Sequence, residues 1–166
     1  MVKYRSMIDM IVTGFKTNLT NVSTYRIGTD ELLAECNKEL GYRMGGHVMS
    51  HYNLSGGPEL KVSRLRDRKH SELLAYLIGQ LKSVKEIDGS TLFDNTVIVM
   101  GSGVNTHHTL RNLPIVVAGH GAGLKQGQHI VTDGGRLSNL YLTILKAAGV
   151  PVESFSDSDG TIASLV

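Results

Sequence analysis

The sequence contains one cysteine and no tryptophan among its 166 residues, and aromatic side chains of any kind are few. The single cysteine, Cys36, excludes an internal disulfide framework and any zinc module built from several cysteines. Nucleic-acid binding usually needs a broad basic face with aromatic stacking platforms. A formal net charge of +2, with six Tyr and three Phe residues, supplies neither, so we expect no nucleic-acid partner.

Long apolar runs are also missing from the sequence. No segment approaches the roughly 18 consecutive apolar residues that a membrane span needs, so none is expected. Residues 1–15 lack the basic start, apolar centre and small-residue cleavage site of a signal peptide. A hydrophobic content of 41% with 19% charged residues is typical of a globular protein, and we expect a single domain over residues 1–166.

Apolar residues recur at helical spacing in four segments, which predicts four helices. They are residues 1–16, 29–40, 62–84 and 138–148, with Ser63 as the candidate cap of the longest helix. Residues 41–58 are rich in glycine, contain two histidines and lack periodicity. A loop of this length is usually functional or mobile. Residues 156–166 form a polar tail.

Two near-continuous apolar runs, residues 95–100 and 113–118, are typical of strands buried on both faces, as in a parallel sheet. Residues 19–27 and 128–131 are shorter strand candidates. The predicted fold class is therefore α/β, with a mainly parallel sheet flanked by helices and the two apolar runs as neighbouring central strands. Ligands of such sheets gather beyond the carboxyl ends of the strands, where both runs end in glycine.

The seven histidines are the main candidates for chemistry. His47 and His51 are four residues apart, which places both rings on one face of a helical turn and suits two ligands of one metal ion. The alternative is that both rings lie in solvent within the 41–58 loop. His107 and His108 are adjacent, and adjacent side chains usually point apart, so at most one of them would bind.

Four further residues are candidates for orienting metal ligands or binding an anion: Ser102, Asn105, His107 and His120. Ser102 lies between two glycines, but the frame of a nucleophile elbow is incomplete because position 100 is methionine and position 104 is valine. His120 lies in the glycine-rich turn 119–123, whose backbone N–H groups could cradle an anion. Ser50 and Asn105 are close enough in sequence to the histidines to orient their rings.

Five segments together resemble the C-terminal part of domain-of-unknown-function family 1552. They are Asp9–Thr20, His47–His51, Asp94–Gly103, Asn112–Gly119 and Asn139–Phe155. The last is the most specific, with Leu-Tyr-Leu followed by Gly-Val-Pro-Val-Glu-Ser-Phe. The resemblance implies the C-terminal portion of an alkaline-phosphatase-like fold within a longer, exported bacterial protein. The resemblance implies a periplasmic or secreted location. No signal for that location is present in this sequence.

The alkaline phosphatase superfamily, which that family resembles, implies a ligand set. His47 and His51 match the spacing of two ligands of one metal, with histidine in place of aspartate, and the stretch that begins at His108 resembles the segment around the third ligand. The implied cofactor is one divalent ion, zinc before others. The Asp-His pair of the second metal is absent, since Ser102 and Gly103 stand there. The superfamily's nucleophile belongs to an N-terminal half.

Two functions follow as hypotheses. The first is a metal-dependent hydrolase of phosphate or sulfate esters that lacks its nucleophile half, with a small ester as substrate. The second is a non-catalytic binding or structural module, since a fold does not imply a function. In either case we expect an exposed apolar surface where a missing N-terminal part or another copy of the chain would dock.

Overall fold

The computed structural model describes residues 1–132 and 134–166. Five α-helices are present in that part of the chain: α1 (Val2–Lys16), α2 (Thr29–Leu40), α3 (Gly46–Ser50), α4 (Pro58–Ser83) and α5 (Leu137–Ala147). Two strands, β1 (Ile98–Gly101) and β2 (Ile115–Ala118), and three 3-10 turns at Thr106–His108, Gly121–Gly123 and Ala163–Leu165 complete the elements. None of the described helices has the length and apolar character that crossing a membrane requires.

The four helices predicted from apolar spacing are confirmed as α1, α2, α4 and α5. The longest helix begins earlier than expected, at Pro58, because proline is well suited to the first helical position. Ser63 is therefore not its cap but lies inside the helix, buried with 2% of its surface exposed. Within the segment 41–58, residues Gly46–Ser50 form the short helix α3.

The prediction of a mainly parallel sheet is wrong. β1 and β2 are neighbours, as expected, but they pair antiparallel in a sheet of two strands. Parallel strands need a long crossover, which is usually a helix. The connection here, residues 102–114, contains a single 3-10 turn among its bends, so the chain returns directly alongside itself. Neither strand is buried on both faces, and 44% of the Val116 surface is exposed.

The two shorter strand predictions are also wrong. Residues 19–27 and 128–131 are irregular in the structure. In the first segment Leu19 and Val22 keep 84% and 78% of their surfaces exposed, so no neighbouring strand or helix covers their side chains. A β-branched or aromatic residue favours a strand only where a pleated, partly buried surface exists for it to join.

The described residues divide into two compact units. The first unit comprises Met1–Leu81 and Met100–Ile115, and the second comprises Lys82–Val99 and Val116–Val166. In the first unit, α2, α3 and α4 share a core made of Leu33, Cys36, Met49 and Val62, with Tyr42, Met44 and Leu65 packed against it. This core positions the short helix α3.

In the second unit, two glycines allow one backbone segment to approach another very closely. A side chain at Gly119 would place its Cβ 2.0 Å from the carbonyl oxygen of Thr96, and Gly119 also has a φ of +92°. The N–H group of Gly121 donates to that same carbonyl over 3.1 Å. These glycines are thus required by packing, since any larger residue would collide with the backbone.

Candidate metal centre

The short helix α3 carries the first two candidate ligands. His47 lies in its first turn and His51 is its C-terminal cap residue. Residues four apart lie on the same face of a helix, and the two ring centroids are accordingly 4.6 Å apart. Both side chains are exposed.

Met49 explains why that face points outward. Its side chain is inserted into the core of the first unit and keeps only 2% of its surface exposed. Two residues correspond to roughly 200° of rotation around a helix. His47 and His51, two residues before and two residues after Met49, therefore lie on nearly the opposite face of α3. Burial of Met49 therefore turns His47 and His51 toward the surface.

The third candidate ligand comes from a different part of the first unit. His107 and His108 lie in the 3-10 turn Thr106–His108, and both have left-handed backbone conformations, with φ values of 54° and 60°. Such a conformation costs a non-glycine residue roughly 1–2 kcal/mol. Asn105 stabilises the turn, because its side-chain oxygen accepts a hydrogen bond of 2.7 Å from the N–H of Thr106. Strained conformations of this kind concentrate at functional sites.

The turn brings His108 to the two histidines of α3. The ring centroid of His108 lies 5.0 Å from that of His47 and 5.0 Å from that of His51. One ring nitrogen of each residue lies within 4.8 Å of the corresponding nitrogens of the other two. We call His47, His51 and His108 the histidine cluster.

The geometry of the histidine cluster fits a zinc ion after a small adjustment. Zinc–nitrogen bonds of about 2.0–2.1 Å in a tetrahedral arrangement place ligand nitrogens about 3.3 Å apart. The present separations are at most 4.8 Å, and all three side chains are exposed and can rotate toward a shared ion. Imidazole also suits copper, iron and nickel, whereas magnesium and calcium prefer oxygen ligands.

The surroundings of His51 favour the form of the ring that binds metals. Partial removal from water, followed by repulsion from the neighbouring imidazoles, lowers the pKa of His51. A lowered pKa means that the neutral ring is present at pH values where an ordinary histidine is partly protonated. Metal ions bind the neutral imidazole, so the grouping of the rings keeps His51 available as a ligand.

His107 lies beside the cluster but is not placed with it around one point. Its ring centroid is 5.0 Å from that of His51, and its Nδ1 atom is 3.2 Å from the hydroxyl oxygen of Thr106. Of the adjacent pair, His108 therefore belongs to the cluster and His107 lies at its margin.

The remaining predicted site residues have other partners. The hydroxyl group of Ser102 donates to the carbonyl oxygen of Val104 over 2.7 Å. The side-chain amide of Asn105 donates to two backbone carbonyls of its own loop, so Asn105 shapes the loop and contacts no ring. Ser50, in contrast, lies with its hydroxyl oxygen 3.1 Å from Nε2 of His108.

His120 belongs to the second unit, where its Nδ1 atom lies 3.0 Å from a carboxylate oxygen of Asp94. Hydrogen bonds from His120 and from Thr91 hold the pKa of Asp94 well below its usual range. The N–H groups of His120, Gly121 and Gly123 all donate to backbone carbonyls of the same unit. Those three groups are therefore occupied and not directed at an anion.

Sequence reasoning missed two contacts of these residues. The hydroxyl group of Thr106 donates to the carbonyl oxygen of Ser50 in α3, 56 residues away, and Asp94 pairs with His120, from which it is separated by 26 residues. Neither pairing has a local signal, since each depends on how distant segments fold together.

Comparison with known proteins finds no match for the chain among family models, curated proteins or solved structures. The comparisons therefore assign no chemistry to the histidine cluster.

Proposed function

We propose that the chain binds one divalent transition-metal ion, zinc before others, through His47, His51 and His108. The observation that carries this proposal is the approach of one ring nitrogen from each of three histidines, on two separate segments of the first unit, to within 4.8 Å of one another. Structural zinc sites in proteins usually have four protein ligands, whereas catalytic sites have three and leave one position open. A three-histidine site belongs to the second type.

We further propose that the site hydrolyses a phosphate or sulfate ester. Zinc with an open position lowers the pKa of a coordinated water to about 7 and polarises ester oxygens. The sequence resemblance around His47, His51 and His108 supports an ester substrate.

Zinc titration of metal-free protein, combined with an activity assay, tests both statements. Isothermal calorimetry should show one zinc per chain. The loaded protein should hydrolyse p-nitrophenyl phosphate or p-nitrophenyl sulfate, and a chelator should abolish that activity. A matched control is His129→Ala, which removes an exposed histidine of the second unit and should change neither result. Failure to bind zinc would reject the whole proposal.

A second function, a non-catalytic metal-binding module, is favoured by the composition of the cluster. Among the described residues, no Asp, Glu or Cys joins the three histidines as a shared ligand. Electrostatic catalysis is strongest where water is excluded, and this cluster is open to solvent. Binding of one zinc ion without metal-dependent hydrolysis of either ester would establish this second function in place of the first.

A further inference from the structure

Two hydroxyl groups lie between the histidine rings and the backbone of α3. The hydroxyl oxygen of Ser50 is 2.7 Å from the carbonyl oxygen of His47 and 3.1 Å from Nε2 of His108. A hydroxyl group carries one hydrogen. Two oxygens 2.7 Å apart, such as those of Ser50 and the His47 carbonyl, repel each other unless that hydrogen lies between them. Ser50 therefore donates to the carbonyl of His47 and can only accept from His108.

The same argument applies to Thr106. Its hydroxyl oxygen is 3.0 Å from the carbonyl oxygen of Ser50 and 3.2 Å from Nδ1 of His107. The carbonyl has no hydrogen to give, so the hydroxyl hydrogen of Thr106 points to it. The remaining contact then requires that Nδ1 of His107 carries the hydrogen and donates to Thr106.

We infer that Ser50 and Thr106 fix the tautomers of the two histidines, so that His108 binds the metal ion through Nδ1 and His107 keeps its Nε2 lone pair free. In neutral imidazole one nitrogen bears the hydrogen and the other bears the lone pair. The Nε2 atom of His108 bears the hydrogen that Ser50 accepts, so Nδ1 is its metal ligand. This inference rests on the proposed metal site and names the ligand atom within it.

Ser50 is accordingly a positioning residue, since it acts on the metal through His108. The Ser50 hydroxyl group fixes the orientation of the His108 ring. The backbone of His108 is itself in the strained left-handed conformation, with a φ of 60°. Its two partners, His47 and His108, belong to the two segments that form the cluster. Loss of such an outer hydrogen bond typically lowers metal affinity 10- to 100-fold.

Nuclear magnetic resonance of metal-free protein tests the tautomers directly. Long-range ¹⁵N–¹H spectra at about pH 8, above the usual titration range of imidazole, distinguish a protonated from an unprotonated ring nitrogen. We expect the hydrogen on Nε2 of His108 and on Nδ1 of His107. In Ser50→Ala, His108 should become a mixture of both tautomers. A hydrogen on Nδ1 of His108 in the unmodified protein would overturn the inference.

Zinc affinity provides the second test. Ser50→Ala should bind zinc about tenfold or more weakly. Ser50→Thr, which retains a hydroxyl group, should bind nearly as tightly as the unmodified protein. Ser71→Ala is the matched control, because the Ser71 hydroxyl also donates to a helical carbonyl, that of Asp67. Equal affinities of Ser50→Ala and Ser71→Ala would contradict the positioning role.

The two tests separate the inference from the proposal beneath it. If the unmodified protein fails to bind zinc, the proposed function is rejected, while the spectra of the metal-free protein still decide the tautomers. If zinc binds and the spectra of the loaded protein show Nε2 of His108 as the ligand, the metal site stands and the inference is wrong.

Discussion

Replacing His108 with alanine should lower the zinc affinity of the chain about 100-fold or more. Structural zinc sites with four ligands bind with about 10–16 kcal/mol, so one ligand accounts for roughly 3 kcal/mol, which is a factor of about 100. His108 is also the member of the histidine cluster that lies outside α3 and its cap, so its loss leaves two rings on one short helix. Competition titration with a chromophoric chelator measures the change.

The zinc affinities of variants at the other two positions of the histidine cluster can be compared with that of His108→Ala. His47→Ala and His51→Ala should each weaken zinc binding to a similar extent, because each also removes one of three ligands. His129→Ala should leave the affinity within a factor of two to three, since about 0.5 kcal/mol is the usual effect of a surface substitution. An affinity unchanged in His108→Ala would show that this residue is not a ligand.

Replacing Met49 with alanine should destabilise the protein by about 2–5 kcal/mol, the usual cost of truncating a large buried side chain. Met49 is 2% exposed and belongs to the core of the first unit. It is also the residue that attaches α3 to that core, so zinc binding should weaken as the orientation of His47 and His51 becomes less defined. Urea denaturation of the metal-free protein measures the first effect and calorimetry measures the second.

The adjacent residue supplies a matched control. Val48 precedes Met49 in α3, but 53% of its surface is exposed. Val48→Ala should therefore change the free energy of unfolding by no more than about 0.5 kcal/mol. Equal destabilisation by the two substitutions would mean that burial of Met49 does not anchor the helix.

The helices could be predicted because their signal is local. In α1, Tyr4, Ile8 and Val12 recur every four residues and all three are buried. The sheet could not be predicted in the same way. An apolar run such as residues 113–118 does not show whether its partner strand runs parallel or antiparallel to it. That direction was set by the connection 102–114, which forms no crossover helix.

The histidine cluster was predictable only in part. The spacing of His47 and His51 is a local signal, and the resemblance of the stretch at His108 supplied the third residue. Ser50 was named from the sequence as a residue that orients a ring, and its hydroxyl oxygen lies 3.1 Å from Nε2 of His108. The contact of Thr106 with Ser50 could not be predicted, because it spans 56 positions of sequence. The left-handed conformations of His107 and His108 carried no signal either, since neither residue is glycine.

Zinc-edge X-ray absorption of the loaded protein is the most direct test of the three-histidine site. We predict one zinc ion with three imidazole nitrogens at about 2.0 Å and one oxygen ligand from solvent. The same spectrum of His108→Ala, loaded at high zinc concentration, should show one imidazole fewer. A coordination sphere made of oxygen atoms, or one with a single imidazole in the unmodified protein, would contradict the three-histidine site.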